Sequence, residues 1–204
     1  MATQRAAEDL LRLTEEHGIK SLADMVQVYV NWTHGRLVDP EAGAVAIKRD
    51  LAAHVAEGNK GAALPHHVLL AEVEASSVDL DQALTLIGDG LAIAEEIGGH
   101  LFDPHLHRLR GDIRLRRDPT NPAPAEEALQ TAVAIAHQQG ARSHGLRAAL
   151  SLAKLYQSTG RPLEAHAVLS PALEGFASTP EMPEIAEAQA LLVAMEVGAH
   201  VRHE

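Results

Sequence analysis

Thirteen histidines in 204 residues are the first candidates for chemistry in this chain. A helix holds a metal ion with two imidazoles only when they stand three or four residues apart, so that both reach one face. His200 and His203 have that spacing. His66 and His67 are adjacent, and His105 and His107 are two apart, so the members of each pair diverge around a helix. A site assembled from different repeats stays open, but histidines outside such clusters are ordinarily packed or solvated. No metal and no other cofactor is expected. The chain has no HExxH, no P-loop and no GxGxxG. Gly88-Asp89-Gly90 falls in mid-helix and cannot cradle a phosphate. Ser143 and His144 are neighbours, but no third member or oxyanion hole accompanies them. No enzymatic activity is therefore expected.

Small residues carry the stronger pattern. Gly111 and Ala153 sit mid-way along two helices. Ala125 and Ala165 sit early in the helices that follow, and Ala132 and Ala172 seven residues further on. Helices pack closely only where side chains are small, so these positions mark contacts within helical hairpins. Projected backward, the first track runs through Ala71 to Asn31, the second through Ala83 to Gly43, and the third through Gly90 to Asp50. The hairpin-ending glycines are Gly18, Gly58, Gly98 and Gly140. All four tracks share a period of 40 to 42 residues. Asn31 and Asp50 break the small-residue rule, so the first repeat is the least regular. No account is available for Gly88, a second mid-helix glycine beside Gly90.

A helical hairpin that buries its apolar face only by stacking on copies of itself resembles the tetratricopeptide repeat, TPR. The expected fold is all-α, a TPR-like solenoid of about ten helices in a right-handed superhelix. It forms one domain over 1–204, with repeats at about 20–58, 63–98, 102–140 and 143–176. Residues 3–17 form an N-terminal half-repeat, with Leu10, Leu11 and Leu13 on the apolar side of an unpartnered end that predicts self-association. Residues 180–199 form a C-terminal capping helix introduced by Thr179-Pro180-Glu181. Asp39-Pro40-Glu41, Asp79 with Gln82, and Asp103-Pro104 read as helix starts. The turn RRDPTNPAP, with three prolines, is the expected flexible loop.

Composition agrees with such a seam: 46% hydrophobic but only 2% aromatic residues leave Ala, Leu, Val and Ile to build the core. A net charge of −11 argues against nucleic acid and anionic membrane as partners. The absence of cysteine fits a reducing cytosol, so a cytoplasmic location is expected. No apolar run reaches the ~18 residues of a membrane span.

The stretches FDPHLHRLRGD, AEEALQTAVAIAHQQGARSHGLRAALSLAKLYQSTGR and EAHAVLSPALEGFASTPEMPEIAEAQALL resemble the C-terminal TPR array of large bacterial signalling ATPases. Those proteins join a STAND-like ATPase to a nucleotide-cyclase or transcription-factor domain. LLAEVEA and Asn31-Trp32 match more weakly, and no ATPase or cyclase segment fits in this chain. The resemblance implies a sensor or scaffold module that binds a protein or peptide segment, including a domain of a larger chain.

In such a solenoid the first helix of each hairpin lines an inner groove. The residue after the first small position faces inward, as do those three and six before it. These are Trp32, Glu72, Asp112 and Lys154; Val28, Val68, Arg108 and Leu150; Met25, Pro65, His105 and Arg147. The groove is then apolar at Met25, Val28 and Trp32 and charged at Arg108, Asp112, Arg147 and Lys154. That suits a segment with one apolar and one anionic end. Glu72–Arg108 and Asp112–Arg147 are also expected as ion pairs that fix stacking. The alternative function is a TPR fold adapted as a small-molecule-binding protein or enzyme.

Overall fold

The computed structural model describes residues 2–76, 79–177, 179 and 182–200. Among them are ten α-helices and a 3-10 turn at His100–Phe102, with no strand. The helices are α1 (Ala2–Glu16), α2 (Lys20–Leu37), α3 (Pro40–Ala56), α4 (Lys60–Glu74), α5 (Leu80–Ile97), α6 (Asp103–Arg117), α7 (Ala123–Gln139), α8 (Arg142–Ser158), α9 (Pro162–Leu173) and α10 (Pro183–His200). The helices group into two compact units, Met1–Phe102 and Asp103–Glu204. The boundary falls at the Asp103-Pro104 helix start. Within each unit every helix packs on the next, and alternate helices also meet: α2 on α4, α6 on α8, α8 on α10.

Helix starts follow from side chains that satisfy free backbone N–H groups. Asp39 accepts from the Ala42 N–H at 3.0 Å, and Asp79 from the Gln82 N–H at 2.9 Å. Asn59 accepts from the Ala62 N–H at 3.2 Å. That cap moves the start of α4 forward to Lys60, three residues before the expected Ala63. Pro180 and Glu181 of the expected last cap lie outside the described residues. Helix ends share one device. The four periodic glycines have φ between +64° and +69°. The residue after each donates to a carbonyl five back: Ile19 to Thr14, Asn59 to His54, Gly99 to Ala94, Ala141 to Ala136. Glycine enters the left-handed region without a Cβ clash, which is why it recurs there. The proline-rich turn is tied down locally, since the Asp118 carboxylate accepts from the Thr120 N–H at 3.2 Å and its hydroxyl at 2.6 Å.

The small-residue tracks lie largely in the cores, with Ala172 half-buried against the second. Ala71, Ala83, Ala125, Ala132, Ala153 and Ala165 have no exposed surface, and Gly43, Gly90 and Gly111 are buried. A Cβ on Gly111 would lie 2.5 Å from Leu129 Cγ and 3.0 Å from the Ala125 carbonyl oxygen. In the first hairpin the crossing is Gly35 on Gly43, and a Cβ on Gly43 would run into the Gly35 backbone and lie 2.9 Å from the Asn31 carbonyl oxygen. Asn31 and Asp50 break the pattern together, because Asn31 Nδ2 donates to Asp50 Oδ2 at 2.9 Å. A polar bridge between α2 and α3 replaces one small–small contact. Ile47, Leu70 and Ile87 fill the first unit's core, and Leu106, Ile113, Leu129, Leu146, Leu155, Leu169 and Ile185 the second's. Arg161 clamps α7, α8 and α9 together. Its guanidinium makes two bonds to Glu126, at 3.1 and 2.6 Å, and lies 4.3 Å over the Tyr156 ring. α1 packs on α2 and leaves Leu10 and Leu13 exposed.

Two glycines should respond oppositely to the same change. Gly43→Ala is expected to destabilise by about 1–3 kcal/mol, because α3 must move off the α2 backbone. Gly88 has nothing within 4 Å of an added Cβ. Gly88→Ala should therefore stabilise by up to ~1 kcal/mol through helix propensity alone. Denaturant melts of both variants check this, and a loss of stability in Gly88→Ala would show that the residue has a role in packing.

Candidate functional site

In the first unit, α2 has an outward face set by helical spacing. Met25 and Tyr29, one turn apart, are 52% and 38% exposed, and Trp32 follows three residues later, half-buried. Val28, expected in the groove, is instead 1% exposed and belongs to the core. One residue of helix turns the chain by about 100°, so Tyr29 takes the outward place assigned to Val28. The Trp32 indole Nε1 is buried without a hydrogen-bond partner among the described residues. A buried indole N–H ordinarily has one. Arg36, one turn further along, donates to the Glu72 carbonyl at 3.5 Å and to the Ser76 hydroxyl at 3.4 Å. Glu72 and Pro65 are half-buried on α4, whereas Val68 is 2% exposed and packs inward.

In the second unit the expected residues converge on a polar ladder that crosses α6, α8 and α10. Arg108 Nη1 donates to Asp112 Oδ2 at 2.7 Å, one turn on in its own helix, and Nη2 lies 3.4 Å from His105 Nδ1. Arg147 Nε donates to Glu184 Oε1 at 2.8 Å, and Lys154 Nζ lies 2.7 Å from Glu187 Oε1. The expected Asp112–Arg147 pair is thus replaced: Asp112 is taken by Arg108, and Arg147 reaches across to α10. Leu150, expected on this face, is 3% exposed and sits in the core. His144 joins the ladder with its ring 5.9 Å from that of His105.

The charges set protonation. Burial pushes the Asp112 carboxyl up from its ordinary value, against the pull of Arg108, a hydrogen bond from Ser151, and Lys154. Burial, then Arg147 and Arg108, push the His144 imidazole down. Arg108 Nε, His144 Nδ1 and Glu184 Oε2 are buried without partners among the described residues. Ser151, Glu184 and Glu187 escaped the sequence reading, and His144 entered it only as a neighbour of Ser143. α10 does not keep the 40-residue register, so projecting the period could not find its carboxylates. The spacing Glu184–Glu187, a one-turn acidic pair on the last helix, was the available signal.

The histidines form no metal centre among the described residues. His66 and His67 are buried on α4. His66 Nδ1 lies 2.8 Å from the Ala62 carbonyl and its ring packs edge-on to His54 at 4.8 Å. Burial is the main cause that lowers both imidazoles below their ordinary value. His203 of the spaced pair lies outside the described residues.

Two measurements test these assignments. His66, His67, His107 and His144 all have imidazoles lowered from the ordinary 6.5, so the unfolded chain binds protons more readily than the folded one. The stability their neutral forms contribute is complete above that value and is lost as pH falls below it. Stability should therefore be lower at about pH 5.5 than at about pH 7.5, with a shallower slope in His67→Leu; a flat profile contradicts this. A double-mutant cycle on Arg147 and Glu184 should return a coupling of no more than about 1 kcal/mol, because both side chains remain partly solvated.

A scan against protein-family models finds none that matches the chain, and a search of curated proteins finds no match either.

Proposed function

We propose that the chain is a non-catalytic interaction module of TPR type, a right-handed repeat array that binds protein or peptide segments on the inner faces of its first helices. It is related in design to the C-terminal arrays of bacterial signalling ATPases. The observation that carries this reading is the division of labour among residue types. Alanine and glycine occupy the buried crossings, which leaves the first-helix faces free for residues the packing does not require. In the first unit that face is Met25, Tyr29 and Trp32; in the second it is Arg108, Arg147 and Lys154 with their carboxylates. Aromatic and arginine side chains are the usual anchors of protein interfaces.

Each face takes a segment of matching chemistry. An apolar segment covers Met25 and Tyr29 and offers a carbonyl to the Trp32 indole. An acidic segment displaces Glu184 or Asp112 from the ladder, so its affinity is moderate and weakens with salt. The other partner class is a second copy of the chain, joined through the exposed leucines of α1.

Selection of peptides from a random displayed library against the full chain tests the reading. Acidic peptides should be enriched, lose binding in Arg108→Ala and Arg147→Ala, and leave melting within about 1 kcal/mol of the parent. Apolar peptides should lose binding in Tyr29→Ala and shift the fluorescence of Trp32, the single tryptophan. Enriched peptides that bind all three variants as well as the parent would remove these faces from the function.

A further inference from the structure

α6 carries five arginines in fifteen residues, in a chain of net charge −11. Arg108 faces the ladder. His107, Arg110 and Arg114 lie on another side of the helix, three and four residues apart, and so share one face. All three side chains are half-buried. Arg114 is anchored, since its Nη1 donates to the Pro124 carbonyl at 3.1 Å. Arg110 is not: among the described residues it makes no hydrogen bond and no ion pair, and the charge acting on it is that of Arg114. Burial and Arg114 lower the Arg110 guanidinium from its ordinary value. Burial, Arg110 and Arg114 lower the His107 imidazole, against the pull of Asp103 one turn before it.

Arg110 thus keeps its charge half-buried, with that of Arg114 one turn away and no counter-charge among the described residues, an arrangement that opposes folding. We propose that His107, Arg110 and Arg114 form a binding site for a phosphate-bearing small molecule. The chemistry favours phosphate over carboxylate. A phosphate group near neutral pH carries close to two negative charges and three acceptor oxygens, which match two cations and three donors. A carboxylate brings one charge and two oxygens. Arginine's planar fork meets two phosphate oxygens at once. Asp103 repels an anion from the His107 end, so the phosphate seats toward Arg110 and Arg114, and His107 donates from its near side. A bound dianion favours the imidazolium, so binding takes up a proton at His107. This site is independent of the peptide-binding faces.

Calorimetry and thermal melting of the full chain with pyrophosphate, inorganic phosphate and succinate test the proposal. Pyrophosphate should bind and raise the melting temperature, phosphate should do so more weakly, and succinate should do neither. Near pH 6.5, the ordinary imidazole value, heats in two buffers of different ionisation enthalpy should differ by the proton taken up. Arg110→Gln and Arg114→Gln should each weaken pyrophosphate binding about ten-fold or more, the loss of a charge-assisted hydrogen-bond pair. Arg110→Gln should leave the melting temperature of the unliganded chain unchanged or higher, since it removes a repulsion. Arg108→Gln should retain parent affinity. Absence of pyrophosphate binding, equal binding of succinate, or parent affinity in Arg110→Gln would overturn it. So would a lowered melting temperature in Arg110→Gln with parent affinity in Arg114→Gln, because Arg110 would then be structural.

Discussion

The close approach of helix backbones at the small-residue crossings is the constraint on which the rest of the structure depends. Gly35 on Gly43 and Gly111 on Ala125 and Leu129 leave no room for one more carbon atom. At such distances dispersion acts over whole turns of backbone, and the core needs few large rings. That explains a chain with 2% aromatic residues that still fills its cores with Leu, Ile and Ala. It also explains where the unusual side chains are. A first helix spends one side on its own hairpin and another on the neighbouring first helix. The side left over carries Met25 and Tyr29 in one unit and the charged ladder in the other.

The periodic part of this architecture was legible in the sequence because it is written in residue size. Alanine and glycine at a spacing of 40 to 42 located the crossings and the helix ends, and both are where the tracks place them. What escaped was written in other terms. Val28 and Tyr29 differ by one helical step, and the 40-residue projection could not settle which faces out. Gly35 lies off the track and is visible only as the partner of Gly43. Asn59 was not singled out as a cap, so the start of α4 was placed late. Glu184 and Glu187 sit on a helix without a counterpart in the other repeats, which hid the far end of the ladder. The division into two units left no linker to read, since it falls at a helix start.

Arginines on one helix meet opposite electrostatic conditions. Arg108 has a carboxylate one turn away and a histidine beside it, so its charge is spent locally. Among the described residues, the charge acting on Arg110 is that of another arginine. The first arrangement orders a surface, and anything that binds there must compete with Asp112 and Glu184. The second holds positive charge that no carboxylate among the described residues offsets.

The bridge between Asn31 and Asp50 has a consequence for assembly. A chain of similar hairpins has similar mating surfaces, and a helix can in principle pair with the wrong sister. Against α5, which offers Gly90 where α3 offers Asp50, the Asn31 amide would be shut away from water with nothing to donate to. Likewise Asp50 pressed against the alanine or glycine of another first helix would be a carboxylate in an apolar seam. The two irregular positions thus act as a matched key in an otherwise interchangeable set. They let α2 and α3 recognise each other and penalise every exchange of partners, so the least regular hairpin is the one whose pairing is best defined.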